Sequence, residues 1–149
     1  MSHAQTPAYA GFVTRATAFV VDDIIIVVVG TLGLIGAGLI LDAVIPGGVK
    51  VNLESVLGAA AWGAVLSTAY FVGFWSLAGQ TPGMRLMGIV VVPVSGGRLN
   101  FGRAVRRLLG LVACWLTLGL GFALVLIDDR RQGLQDKIAK TFVLYERAD

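Results

Sequence analysis

Three long apolar stretches dominate this chain, over about residues 12–41, 56–78 and 108–127. A helix that crosses the hydrocarbon core of a bilayer needs about 20 mostly apolar residues. Each stretch meets that length. The pattern therefore predicts an all-α membrane protein in which residues 12–41 and 56–78 form two transmembrane helices and residues 108–127 form a third membrane segment.

The segments outside these stretches define the limits of one domain. Residues 1–10 are small and polar, which predicts a flexible N-terminal tail. The membrane domain is predicted to cover residues 11–145, and residues 146–149 form a short C-terminal end. Pro46-Gly47-Gly48 predicts a turn between the first two spans.

Two short segments have the composition of β-strands. Ile89–Val94 is β-branched and is followed by Ser95-Gly96-Gly97 and then Arg98–Phe101, which predicts a short hairpin. Pro93 confines that strand to the edge of a sheet. Thr141–Tyr145 near the C-terminus is a second candidate strand. The chain therefore combines membrane helices with a small β element.

The distribution of basic residues constrains the topology. The 79–107 loop carries five arginines and no acid, whereas the loop between the first two spans carries only Lys50. Because basic loops stay on the cytoplasmic side, the 79–107 loop and the N-terminus are predicted to be cytoplasmic, in a cell-membrane protein. The tail after residue 127 also carries five basic residues, so a third full crossing would put it on the wrong side.

A broken third segment resolves this conflict. If residues 108–127 enter the membrane and return, with a break at Thr117–Gly121, the tail is cytoplasmic as well. Irregular backbone at membrane depth is tolerated where protein covers it. The tail strand could then pair with the 89–94 strand in one cytoplasmic sheet.

Composition excludes several classes of protein. Residues are 56% hydrophobic and 14% charged, against about 25% charged in soluble domains. The net charge of +3 is better explained by lipid headgroups and topology than by nucleic acid. Cys114 and His3 are the only residues of their types, so no metal site or cofactor is predicted. No nucleophile–base pair is visible, so the chain is not expected to be an enzyme.

Small residues recur every fourth position in the second stretch, which places them on one helical face. In a bilayer such a face lets another helix approach closely. We expect it to be the main helix-packing surface, although chance in a Gly/Ala-rich helix gives the same pattern. The four residues are Ser55, Ala59, Gly63 and Ser67.

Two charges in the first apolar stretch are candidates for function. Arg15 and Asp22 are seven residues apart, which puts them on nearly the same helical face with a rise of about 10 Å. If the helix starts near Phe12, Asp22 lies well inside the bilayer, where a carboxylate costs at least about 2.5–3.5 kcal/mol on insertion scales. Asp22 should therefore be paired, protonated or functional. A snorkelling anchor for Arg15 and a structural link for Asp22 are the alternatives.

Three motifs in order resemble the RDD family of small prokaryotic membrane proteins. Gly11–Asp22 is similar to the family's opening, with its arginine and first aspartate at Arg15 and Asp22. Gly79–Gly88 resembles its Gly-x-Thr-Pro-Gly-Lys loop. Asp129–Asp136 resembles the segment with the second aspartate, Asp136. An arginine before the third stretch corresponds to Arg106 or Arg107. Met84, Gln135 and Lys140 depart from the family's usual lysine, histidine and glycine.

The resemblance implies a transport function. Transport of small ligands has been proposed for the family, and cation/proton exchange is reported for some members. On this hypothesis the charges converge in one cluster, Asp22 alternates between a protonated and a cation-paired form, and a monovalent cation or other small ligand is carried. The predicted cluster consists of Arg15, Asp22, Arg85, Arg106 and Asp136.

Other interpretations remain open at this point. Three membrane segments form a thin pathway, so transport would require a homo-oligomer in the lipid bilayer. Alternatively, the chain is a non-catalytic adaptor whose basic loop binds a protein partner or anionic lipid. The loop motif Thr81-Pro82-Gly83 is interpreted as a turn at the membrane exit, since no Gly-Lys-Ser/Thr follows as in a phosphate-binding loop.

Overall fold

The computed structural model describes residues 8–45 and 52–146. Helix α1 spans Phe12–Val44 and helix α2 spans Leu53–Ala78. Both are long and apolar enough to cross a membrane, which confirms the two predicted spans. Asn52 and Ser55 form a capping box that starts α2, and Gly79 ends it with a φ of 72°. The turn predicted at residues 46–48 and the tail residues 1–7 lie outside the described residues.

A short helix and a strand follow α2. Helix α3 spans Pro82–Leu86 and strand β1 spans Ile89–Pro93. Thr81 caps α3 by accepting a hydrogen bond from the Met84 amide, with Pro82 in the first turn. Pro82 fits there because the first turn of a helix needs no amide donor.

The third apolar stretch is broken, as predicted. Helices α4, Phe101–Leu116, and α5, Leu120–Ile127, meet at an angle of 104°. Leu118 and Gly119 adopt positive φ values of 52° and 84° at the break. Helix α4 begins seven residues earlier than residue 108 because the Asn100 side chain caps it, accepting from the Arg103 amide.

The C-terminal part completes a two-stranded sheet. Helix α6 spans Leu134–Ala139 and strand β2 spans Thr141–Tyr145. β1 and β2 are antiparallel, with Val91 opposite Val143, which confirms the pairing of the tail strand. The predicted hairpin is wrong: residues 98–101 lead into α4, since the Asn100 cap favours a helix start there.

Residues 8–10, which the sequence assigned to the tail, line the free edge of β2. The Ala10 amide donates to the Val143 carbonyl over 2.9 Å, and the Tyr145 amide donates to the Ala8 carbonyl over 3.0 Å. The chain before α1, the sheet and the start of α3 therefore lie at one end of the two spans. This arrangement agrees with a third segment that enters the membrane and returns.

The position of Asp22 along α1 indicates its depth in the membrane. The Tyr70 hydroxyl donates to Asp22, so both residues lie at one level of the antiparallel spans. From that level α1 continues to Val44 for about 33 Å and α2 extends back to Leu53 for about 26 Å. The hydrocarbon core is about 30 Å thick. Asp22 and the exposed Asp23 therefore lie near the membrane boundary on the side of the sheet, and not deep in the bilayer.

Candidate functional site

Asp136 is the centre of a buried charge cluster. Its side chain has no exposed surface. The guanidinium groups of Arg15 on α1 and Arg107 on α4 each donate to one of its oxygens, and the Gly133 amide donates over 3.0 Å. One carboxylate thus joins α1, α4 and α6. We call Arg15, Arg107 and Asp136 the triad.

The two arginines are held by further contacts. Arg107 donates to the Thr141 hydroxyl over 2.9 Å and lies 4.9 Å from the centre of the Trp75 ring. Arg15 donates from Nε to the Ala10 carbonyl over 3.0 Å. Two guanidinium groups share one carboxylate, so the triad carries one positive charge in excess.

Glycine allows α6 to reach this position. A Cβ atom at Gly110 on α4 would lie 2.5 Å from the Cα of Gln135, which is closer than carbon atoms can approach. The backbones of α4 and α6 therefore touch at Gly110. The contact brings Asp136 within reach of Arg107 on the same face of α4.

Asp22 forms a second, separate site. Its oxygens accept hydrogen bonds from the Thr81 hydroxyl, from the Gly83 amide over 2.7 Å and from the Tyr70 hydroxyl over 2.8 Å. These donors belong to α2, to the residue that caps α3 and to the first turn of α3. Asp22 therefore docks the start of α3 onto α1, and no basic side chain among the described residues pairs with it.

The Thr81-Pro82-Gly83 motif is the part of α3 that contacts Asp22. At Gly83 an added Cβ would lie 2.2 Å from the Ala18 carbonyl oxygen, so only glycine permits this approach. Thr81 is fully buried and donates to Asp22 while it caps α3. The motif is thus a docking element at the membrane boundary as well as a turn.

A cavity of about 380 Å³ lies between the two sites. Its walls are mainly aromatic and aliphatic and come from α1, α2, α4 and α5. Arg15, Arg107, Asp22 and Gln135 are its polar lining residues. Some lining residues, among them Val20, Trp115 and Leu126, are also exposed on the outer apolar surface. The cavity therefore adjoins the surface that faces lipid.

Unsatisfied donors concentrate at this cavity. Among the described residues, four buried side-chain polar atoms lack a hydrogen-bond partner. Three of the four belong to cavity residues: Nη2 of Arg15, Nε of Arg107 and Nε1 of Trp75. Buried polar groups in folded proteins are nearly always paired, so these donors mark the cavity as the strongest candidate for a binding site.

The structure separates the five residues of the predicted cluster. Arg15 and Asp136 are in contact, Asp22 has partners of its own, and Arg85 and Arg106 are exposed. Arg107 occupies the place predicted for Arg106, since neighbours on a helix point about 100° apart. The buried face of α4 could have indicated Arg107, because Ala104, Arg107, Leu111 and Cys114 follow helical spacing. Sequence reasoning also missed Tyr70 and Trp75.

The proposed helix-packing face is half-buried. Ser55, Ala59, Gly63 and Ser67 are each more buried than most of their neighbours. No atom of another residue comes within 4 Å of a Cβ built on Gly63. The close approach of α1 and α2 occurs instead at Gly30 and Gly33, which would meet Leu66 and Trp62 at 3.3 Å.

The three residues that depart from the family pattern lie at the cavity and at the end of α6. Met84 is buried and Gln135 accepts from the Cys114 thiol over 3.1 Å, and both line the cavity. An apolar and a neutral side chain thus stand there where a lysine and a histidine are usual. Lys140 ends α6 with a φ of 53°, a conformation that favours glycine.

A turn outside the membrane segments carries a second ion pair. The Lys137 ammonium lies 2.7 Å from the Asp128 carboxylate, which also accepts from the Gln132 amide over 3.0 Å. The hydrogen bond from Lys137 is the main cause that lowers the pKa of Asp128. The pair is partly exposed, so it contributes little to stability.

The fold and a family model assign the chain to a class of membrane protein. Two apolar spans, a bent third pair and a boundary sheet define a multi-span integral membrane protein. The chain belongs to the RDD family, whose family model matches residues 9–140. No curated protein and no solved structure matches the chain. In the described ranges no three His, Cys, Asp or Glu side chains lie together as metal ligands.

Proposed function

We propose that this RDD protein binds a small ligand in the 380 Å³ cavity and transports it within or across the membrane, without chemical conversion. The cavity carries the proposal. Ligand sites are concave and mostly apolar, with a few polar groups that fix orientation. Here apolar walls surround Arg15 and Arg107 of the triad, and the lining residue Trp115 is exposed on the outer apolar surface.

The membrane arrangement supports a carrier that works as an oligomer. Two spans and a bent pair offer little wall for a path, so a second copy would complete it. The exposed faces of α1 and α2 are available for this contact. We propose the cell membrane as its location, with the 79–107 loop and the tail on the cytoplasmic side, because their basic residues favour that side. Residues 8–10 lie on the same side because they pair with β2.

Blocking the cavity tests ligand binding. In purified protein a chain-brominated fatty alcohol should quench the emission of Trp75 and Trp115, which line the cavity. Ala123→Phe, also in the lining, should weaken that quenching about tenfold or more, since a phenyl ring fills the space. Ala64→Phe on the exposed face of α2 is the matched control. Equal quenching in all three proteins would contradict a cavity site.

Cation/proton exchange is a narrower form of the transport hypothesis. It would use Asp22 or Asp136, and both carboxylates already have three donors each. The geometry therefore favours a ligand of another kind. Cation-driven proton flux in sealed proteoliposomes checks this. Flux in wild type that vanishes in folded Asp22→Asn protein would support exchange, whereas no flux from inserted protein would exclude it.

An adaptor role is the second candidate. Arg85, Arg98 and Arg106 are exposed, and no acid occurs in the 79–107 loop. Such a surface attracts anionic lipid or an acidic protein partner. If this is its function, changing all three arginines to glutamine should abolish stabilisation by anionic lipid in nanodiscs while leaving cavity quenching intact. Unchanged lipid stabilisation would argue against it.

A further inference from the structure

We propose that the ligand of the cavity is an amphiphile with an oxyanion head, a carboxylate or a phosphate, and an apolar chain. This inference rests on the proposed function and names its ligand class. The head would lie against Arg15 and Arg107, and the chain would follow the aromatic and aliphatic walls toward lipid.

The excess positive charge of the triad favours an anionic head group. Arg15 and Arg107 are the two cations of the triad, and Asp136 is its only anion. Their side chains are 10%, 3% and 0% exposed. An uncompensated charge in such a place is costly. An oxyanion would neutralise the triad, whereas a cation would add to its excess.

Three buried donors without a partner favour a head group with several acceptor atoms. Arg15 Nη2, Arg107 Nε and Trp75 Nε1 are donors without a partner, and all three side chains line one cavity. Arginine can donate and never accept. The missing partner is therefore an acceptor, and a carboxylate or phosphate offers several acceptor oxygens at once.

Asp22 also lines the cavity but does not compensate the triad. It makes no ion pair with Arg15 or Arg107, and its oxygens accept hydrogen bonds from Tyr70, Thr81 and Gly83 instead. Asp22 and the two arginines are thus held by separate sets of contacts in the wall of the cavity. A ligand head is needed at the arginines alone.

The location of the cavity favours an amphiphilic ligand. Asp22 lies near the membrane boundary, where the heads of amphiphiles reside. Phe19, Phe71 and Phe122 form part of the cavity wall, and Leu126 lies both in the lining and on the exposed surface. A chain in the cavity could therefore continue into the bilayer. This arrangement fits an amphiphile better than a small hydrophilic anion.

The experiment compares amphiphiles that differ in their head groups and carry brominated apolar chains. Tryptophan quenching is measured in neutral detergent with three probes: a chain-brominated fatty acid, the matching fatty alcohol and a chain-brominated phosphatidate. The pH is kept where the acid is ionised. Trp62, packed at Gly33 on the far part of α1 and α2 and 42% exposed, reports quenching at the outer apolar surface. We expect an oxyanion probe to bind about tenfold or more tightly than the alcohol.

Charge variants show whether the arginines cause the difference. Arg15→Met or Arg107→Met leaves one cation and one anion in the triad, so the preference for the oxyanion should fall to near unity. Arg130→Met, an exposed arginine outside the cavity, should keep it. If both triad variants fail to fold, the comparison of heads in wild-type protein still decides the proposal.

The outcomes separate this inference from the proposed function. Tighter binding of the fatty acid would indicate a free carboxylate ligand, and tighter binding of phosphatidate a lipid headgroup; either supports an oxyanion. Equal binding of acid, phosphatidate and alcohol, blocked by Ala123→Phe, would overturn the oxyanion while the cavity function stands. No quenching by any probe would overturn both.

Discussion

Asp136→Asn should destabilise the protein more than any other single change of one charge. The substitution keeps the shape of the side chain but leaves Arg15 and Arg107 as buried cations without a counter-charge. Removing one partner of a buried ion pair costs about 3–5 kcal/mol, and here one carboxylate serves two arginines. Thermal unfolding in detergent, followed by size-exclusion chromatography, measures the loss of folded protein.

Two further variants show whether the loss of stability in Asp136→Asn comes from the unpaired arginines. Asp129→Asn, on an exposed residue of the same tail, should leave the unfolding temperature nearly unchanged. Replacing the triad together, as Arg15→Met, Arg107→Met and Asp136→Leu, should recover much of the loss, because no buried charge remains. A stable Asp136→Asn protein would show that the triad does not hold α1, α4 and α6 together.

Gly83→Ala should have the second largest effect on stability. The new methyl group would lie 2.2 Å from the Ala18 carbonyl oxygen and 2.8 Å from the Asp22 carboxylate. The Ala18 carbonyl belongs to the backbone of α1 and cannot rotate away as a side chain could. Helix α3 must therefore shift, which weakens the hydrogen bond from Gly83 to Asp22. We expect a loss of about 3 kcal/mol in the free energy of unfolding in detergent.

Gly58→Ala is the matched control for that change. No atom lies within 4 Å of a Cβ at Gly58, and this residue is inside α2. Alanine favours a helix over glycine by about 1 kcal/mol, so the control should be neutral or slightly stabilising. Equal behaviour of the two variants would mean that α3 does not depend on close docking to α1.

Much of the fold follows from the apolar pattern because a bilayer imposes strict lengths. The two spans, the break near Gly119 and the pairing of β2 with β1 are confirmed by the structure. The predicted hairpin is wrong because the local composition around Ser95–Gly97 does not reveal the Asn100 cap that starts α4. Strand pairing between distant segments depends on topology, which the basic residues indicated and local propensity did not.

The candidate site was less predictable because it depends on which face of a helix is buried. Arg106 and Arg107 are adjacent, and only the helical spacing of the buried residues of α4 distinguishes Arg107, on the face that α6 covers at Gly110. Counting residues from the start of α1 predicts a deep position for Asp22, whereas the lengths of α1 and α2 on the far side of Asp22 and Tyr70 already match the hydrocarbon core. In the sequence, Tyr70 and Trp75 do not differ from other aromatic residues of a membrane span. Their contacts with Asp22 on α1 and Arg107 on α4 depend on how the helices pack.

Covalent labelling shows whether a ligand occupies the cavity beside the triad. The label is a photoreactive fatty acid in proteoliposomes, and labelled residues are mapped by mass spectrometry. We expect adducts concentrated on cavity residues such as Phe19, Trp115 and Phe122. Excess unlabelled acid should compete with this labelling, and Ala123→Phe should abolish it. Labels spread evenly over the exposed apolar faces of α1 and α2, unchanged by competitor or by that substitution, would contradict a ligand in the cavity.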